Sequence, residues 1–213
     1  GFSTGDDREE FTLAEFVDEF ELSRISSTSP VFDLTKLEWL NGVYIRKLGD
    51  DDLAERIREQ SALARDADPG MVRALVPLVR ERLKRLTEFD EWVDFFFADK
   101  VEVPHDELIP KKRTDTNTAA LLRLARQHIA ESGTLEPESL EAGLRQVATE
   151  ADWKPRELFG SLRWAVSGKK VTPPLIESMC VLGQATCIER IDAAIDVLGS
   201  PENPILGEGS PQT

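Results

Sequence analysis

Helix start and stop signals recur along this chain at spacings that leave no room for a sheet. Thr12-Leu-Ala-Glu15 has the form of a capping box, a hydroxyl followed three residues on by a glutamate that can reach back to the first amide. Asp33 stands ahead of Leu34, Leu37, Leu40, Ile45 and Leu48. Pro137 and Pro155 sit where a first helical turn accepts proline, and Gly133 and Gly168 sit where a helix stops. Thr172-Pro173-Pro174 offers a further start, and the last helix carries Ile188, Ile191, Ile195 and Leu198. Between these marks apolar residues return at helical spacing. No strict alternation lasts long enough for a strand, and no unit repeats as a solenoid would. The expected fold class is all-α: helical subdomains in an elongated arrangement.

The longest amphipathic stretch runs from Met71 to Phe97. At ~100° per residue, Val72, Leu75, Val76, Val79, Leu83 and Leu86 fall within about 100° of one another and predict a core stripe. Arg82 and Arg85 lie on one flank of it; Arg73, Arg80 and Lys84 lie on the other. Pro77, inside the run, predicts a helix that starts or kinks there. Val101 to Arg113, with two prolines and Lys111-Lys112-Arg113, reads as a linker. Residues 199–213 are rich in Gly, Ser, Pro and Glu and read as a disordered tail. Trp39, Trp92, Trp153 and Trp164 could stack an unpaired base, but big aromatics chiefly fill cores, and that is expected of Trp39 and Trp92 above all.

Composition narrows the function. The 213 residues include 40 Asp and Glu against 26 Lys and Arg, a net charge of -14. That global field opposes association with nucleic acid, DNA included. No phosphate-binding glycine loop and no metalloprotease pattern is present, and His105 and His128 follow no ligand spacing. Cys180 and Cys187 are expected two turns apart on one face of one apolar helix, as buried thiols of a reducing, cytoplasmic compartment. No apolar run reaches the ~18 residues a membrane span needs, and the start does not read as a signal peptide. Read this far, the chain is acidic, all-helical and non-catalytic.

Two stretches carry more. Residues Arg24 to Arg46 read Arg-Ile-Ser-Ser-Thr-Ser-Pro-Val-Phe-Asp-Leu-Thr-Lys-Leu-Glu-Trp-Leu-Asn-Gly-Val-Tyr-Ile-Arg. Residues Leu162 to Gly183 read Leu-Arg-Trp-Ala-Val-Ser-Gly-Lys-Lys-Val-Thr-Pro-Pro-Leu-Ile-Glu-Ser-Met-Cys-Val-Leu-Gly. The first resembles a segment of bacterial-type glutamyl-tRNA synthetases built around Phe-Asp-x-x-Lys-Leu-x-Trp-Leu-Asn-Gly. The second is similar to their Leu-Arg-x-Ala-Leu-Thr-Gly stretch with its following Pro-Pro-Leu-Phe-Glu, with Ile176 in place of the usual Phe. Phe2-Ser-Thr-Gly-Asp-Asp7 resembles the family's Trp-Ser-x-Gly-Asp-Asp.

The resemblance implies the C-terminal part of a class I glutamate–tRNA ligase, an enzyme that joins glutamate to tRNA using ATP with Mg. Neither class I signature of the catalytic domain appears in this sequence, so the chain alone is expected to be inactive and to hold no cofactor. The implied organisation is the end of a stem-contact domain at residues 1–50, and two helical anticodon-binding subdomains at 51–113 and 114–198. Leu78-Val-Arg-Glu-Arg-Leu-Lys-Arg-Leu-Thr-Glu88 matches the family helix whose arginine meets the third anticodon base. That match places Arg82 in the role, with Arg85 where threonine is common. Arg145, Lys154 and Arg163 match basic positions of the second subdomain. The implied partners are tRNA(Glu) and the rest of the synthetase. The alternative, favoured by charge, is an acidic helical protein-interaction module that binds no RNA.

Overall fold

Side-chain caps mark the start of five of the described helices. In the computed structural model, residues 10–25 and 31–199 are described. The expected tail beyond Gly199, the Phe2–Asp7 motif and the segment 26–30 lie outside the described residues. Among the described residues there are twelve α-helices and no β-strand. They are α1 (Leu13–Glu19), α2 (Leu34–Lys47), α3 (Asp50–Gln60), α4 (Ala62–Asp66), α5 (Pro69–Val79), α6 (Phe89–Phe97), α7 (His105–Leu108), α8 (Asp115–Glu131), α9 (Pro137–Glu150), α10 (Pro155–Ser167), α11 (Leu175–Leu182) and α12 (Gln184–Gly199). The Thr12 capping box is formed in both directions, with the Thr12 N–H donating to Glu15 at 2.6 Å and the Glu15 N–H to Thr12 Oγ1 at 3.2 Å. Asp33 accepts from the amides of Thr35 and Lys36, and Gly168 closes α10 at φ 65°.

Two apolar cores organise the chain. The first gathers Ile45, Leu53, Ile57, Leu75, Val79, Leu83, Phe89 and Val93 from α2 to α6. The second gathers Leu108, Leu122, Ile129, Leu144, Leu162, Met179 and Ile191 from α7 to α12. Leu182, at the end of α11, packs against both.

Several expectations change. The Met71–Phe97 run is not one helix: α5 ends at Val79, a tight turn spans Arg80–Arg82, and α6 starts only at Phe89. Pro77 stays inside α5 with its ring exposed, so it is not where the run breaks. The break is set by tertiary partners of the 83–88 backbone. Asn41 Nδ2 donates to the Lys84 carbonyl at 2.5 Å, and the amides of Lys84 and Arg85 donate to Glu88. Groups satisfied this way need no helix.

The 101–113 segment is not a loose linker. Its α7 buries Leu108 completely, and Ser161 Oγ donates to the Leu108 carbonyl at 2.7 Å. Thr172 does not cap α11; its hydroxyl donates to the Pro173 carbonyl. Gly183, at φ 82°, separates Cys180 from Cys187 onto α11 and α12. Both thiols are free, and burial pushes Cys187 up to about 12.

Trp39 does not fill a core. It is 47% exposed, beside exposed Leu34, Leu37 and Tyr44. The reason is that α2 meets the first core only through its Gly42–Ile45 edge. Leu13 and Val17 of α1 are exposed in the same way.

Candidate nucleic-acid interface

On the first core, the candidate side chains ride on the turn between α5 and α6. Arg82 stands at the end of the Arg80–Arg82 turn, exposed, with its guanidinium 5.0 Å from the centre of the Trp92 ring. No carboxylate pairs with it among the described residues. Glu81 lies by Arg46, and Glu88 is occupied by Arg85. A cation over an aromatic face at an exposed site gains about 0.5–1 kcal/mol, enough to bias the side chain while leaving its donors free. The sequence places Arg82 on a helix flank; the structure places it on a turn, held by a ring.

Arg85 is exposed too, but it is spent on ion pairs with Glu88 at 3.1 Å and Glu38 at 3.8 Å. Burial pushes the Glu88 carboxyl upward; the amide of Lys84 and the side chain and amide of Arg85 outweigh it and hold the group below its ordinary value. Glu88 therefore stays ionised and ties the turn together.

On the second core, Arg145 of α9 is bound to Glu141 one turn earlier at 2.6 Å, 5.3 Å from the centre of the Phe159 ring. Arg163 of α10 is half-buried, and its Nε has no partner among the described residues. Lys154 occupies the N-cap position of α10, with its amide donating to Glu157 at 3.1 Å. Its side chain opens onto a groove of about 540 Å³ that Lys111, Lys112, Arg156 and Trp164 also line. None of these four cations is paired with a carboxylate among the described residues.

Two acids, Glu107 and Glu157, also line the groove, and Glu107 is exposed with no ion pair among the described residues. Glu157 is held by Arg113 at 3.0 Å. That bond, with the Lys154 amide, keeps its carboxyl below the ordinary value against a smaller desolvation. Arg113 in turn lies 3.9 Å from the centre of the Trp153 ring.

Of the cations given a tRNA role from sequence, Lys154 alone lines this groove, beside Trp164, one of the rings the sequence offers for stacking a base. Lys111, Lys112 and Arg156 were missed as site residues. The Lys-Lys-Arg cluster was the available signal, obscured because its segment reads as a linker. A larger groove, about 670 Å³ between residues 99–103 and α12, presents Asp99, Glu189, Asp192 and Asp196 against Lys100 and Arg190, an acidic balance that disfavours phosphate.

Unpaired cations beside partly exposed rings, on an all-helical frame, define a class: a module that can hold phosphates with its lysines and unstacked bases with its rings. Residues 51–195, more than half of the chain, match the family described as the anticodon binding domain, and the chain belongs to that family. It is 34% identical over 201 residues to a glutamate–tRNA ligase of Dehalococcoides mccartyi, across 92% of this chain and 42% of the relative. It is 36% identical over 220 residues to a glutamate–tRNA ligase of Acidothermus cellulolyticus, across 99% of this chain and 44% of the relative. A crystal structure of a glutamate–tRNA ligase from Elizabethkingia meningosepticum superposes with a TM-score of 0.81 at 19% identity, covering 93% of this chain and 39% of that one. The chain thus spans about two-fifths of the length of these relatives.

Proposed function

We propose that this chain is the anticodon-reading C-terminal part of a cytoplasmic glutamate–tRNA ligase, with tRNA(Glu) as its RNA partner. Residues 51–113 and 114–198 act as the two halves of the grip. The observation that carries the reading is the groove of unpaired Lys111, Lys112, Lys154 and Arg156 beside Trp164. Such a site fits an anticodon loop, whose splayed bases leave both backbone and ring faces accessible. Arg82 adds the reading of a base edge. Its planar fork can make two hydrogen bonds to one base, and Trp92 keeps it oriented.

The chemistry belongs to the remainder of the ligase, where ATP and Mg bind; this chain holds no cofactor. The exposed apolar faces of α1 and α2 are where that remainder seats. Purified alone, the chain gives no glutamate-dependent ATP–pyrophosphate exchange.

The test of recognition is Arg82→Ala in the full-length ligase, measured with glutamate and glutamine tRNAs. Loss of a base contact costs about 1–3 kcal/mol with the cognate tRNA and narrows the gap between the two. Equal weakening of both tRNAs with a shallower salt dependence would instead put Arg82 on a phosphate. Unaltered behaviour with both would refute its role.

A further inference from the structure

The two cores are joined by a buried arginine that the anticodon reading does not use. Arg190 of α12 is 5% exposed. Its Nη1 donates to the Val166 carbonyl at 2.6 Å, and its Nη2 donates to the carbonyls of Phe95 at 2.9 Å and Ala98 at 2.7 Å. Val166 lies in the last turn of α10, on the second core. Phe95 and Ala98 lie at the end of α6, on the first. One nitrogen of the fork therefore serves each side.

The ends chosen are helix C-termini, where carbonyls lack intrahelical partners and the dipole is negative. An arginine cannot shed its proton to escape burial, so these carbonyls are what make its position tenable. Because the guanidinium is planar and rigid, two nitrogens bonded to two helix ends fix the angle between those ends as well as their distance.

A second cation works at the same place. Lys169, just past α10, donates from Nζ to the Glu91 carbonyl at 2.8 Å and pairs with Asp94 at 2.5 Å, both on α6. Beside it, Gly168 brings its Cα so near the chain that an added Cβ would stand 2.6 Å from the Glu102 carbonyl oxygen. The helices so joined are the two that carry the ring platforms, α6 with Trp92 and α10 with Trp164.

We propose that Arg190, seconded by Lys169, is a positioning residue that fixes the spacing between the Trp92–Arg82 platform and the Trp164 groove, so that one RNA loop can engage both. The clause about RNA rests on the proposed function; the clause about spacing does not.

Spin labels at Ala62→Cys and Ala142→Cys, exposed positions on α4 and α9, report that spacing in the 213-residue chain with Cys180→Ala. The unaltered latch gives one narrow distance. Arg190→Gln broadens or shifts it, with helix content retained. Arg190→Lys gives an intermediate result, because an ammonium cannot reproduce the planar fork. Lys169→Met, at a partly exposed side chain, broadens the distance less and serves if the Arg190 variants do not fold.

The same variants bind an anticodon stem-loop about tenfold more weakly, with an unchanged slope of log affinity against log salt, since no phosphate contact is removed. An unchanged distance in both Arg190→Lys and Lys169→Met, or in Lys169→Met alone where the Arg190 variants do not fold, overturns the proposal. So does a fall of about one in the salt slope, which would place Arg190 itself on a phosphate. If the unsubstituted chain fails to bind the stem-loop at any salt, the RNA reading falls, and the distance measurement still decides the positioning role.

Discussion

Arg82 and Arg190 carry the same guanidinium into opposite circumstances, and only the first was legible. Arg82 falls within a motif, at an exposed place, so sequence alone could single it out. Arg190 lies between Ile188 and Ile191 in an amphipathic pattern, where a cation reads as a solvated face. Only the fold shows three carbonyls converging on it. Glycines show the same division. The stops at Gly133 and Gly168 are visible in sequence, and both adopt left-handed backbone, at φ 64° and 65°. What separates them is tertiary. A Cβ on Gly133 meets nothing within 4 Å, whereas one on Gly168 meets the Glu102 carbonyl at 2.6 Å. Gly133→Ala should cost only the left-handed penalty of about 1–2 kcal/mol. Gly168→Ala should cost clearly more, because the 101–103 strap must move. Urea unfolding of both variants measures this, and equal shifts in midpoint would show that the close approach has no energetic weight.

Helices were legible where caps and glycine or proline stops punctuate them, and illegible where a tertiary partner ends them. The Met71–Phe97 run has the right apolar period, and Val72 to Val79 and Leu83 are all buried where that period requires burial. Yet nothing in Leu-Lys-Arg-Leu-Thr marks a break. The break is imposed from α2 through Asn41 and from within by Glu88. A cap's worth likewise depends on what its helix touches. Ser61 Oγ accepts from the Ala64 amide at 2.8 Å, donates to Asp90 on α6, and is 1% exposed. Thr12 caps α1, whose Leu13 and Val17 stay exposed. Ser61→Ala should therefore lower global stability by about 1–2 kcal/mol. Thr12→Ala should raise amide exchange within α1 and leave the global transition where it is. Hydrogen exchange with thermal unfolding separates the two, and a comparable drop in melting temperature for both would contradict the argument.

At the scale of the whole molecule, the net charge of -14 and the proposed binding of an anionic loop are reconciled by where the charges sit. Asp99, Glu189, Asp192 and Asp196 outnumber Lys100 and Arg190 in the groove by α12, while Lys111, Lys112, Lys154 and Arg156 outnumber Glu107 and Glu157 in the groove beside α10. The composition reports the sum; the folding of the 101–113 segment against α10 creates the local exception, which is why the sequence showed the cluster but not the site. Long-range attraction is weak in such a molecule, so affinity must come from contact, and contacts of two kinds can be told apart by salt. A lysine on a phosphate releases counterions, and removing it flattens the slope of log affinity against log salt by about 0.7–0.9. A stacked ring releases none, and its removal costs about 1–3 kcal/mol per base at every salt concentration. Lys111→Ala and Lys154→Ala should each flatten the slope for an anticodon stem-loop, and Trp164→Ala should lower affinity while leaving the slope intact. If the lysine variants keep the full slope, the groove does not meet the RNA backbone, and the phosphate contacts must be sought on the Arg82 side. If Trp164→Ala binds as before, Trp164 is packing for α10 and no base stacks there.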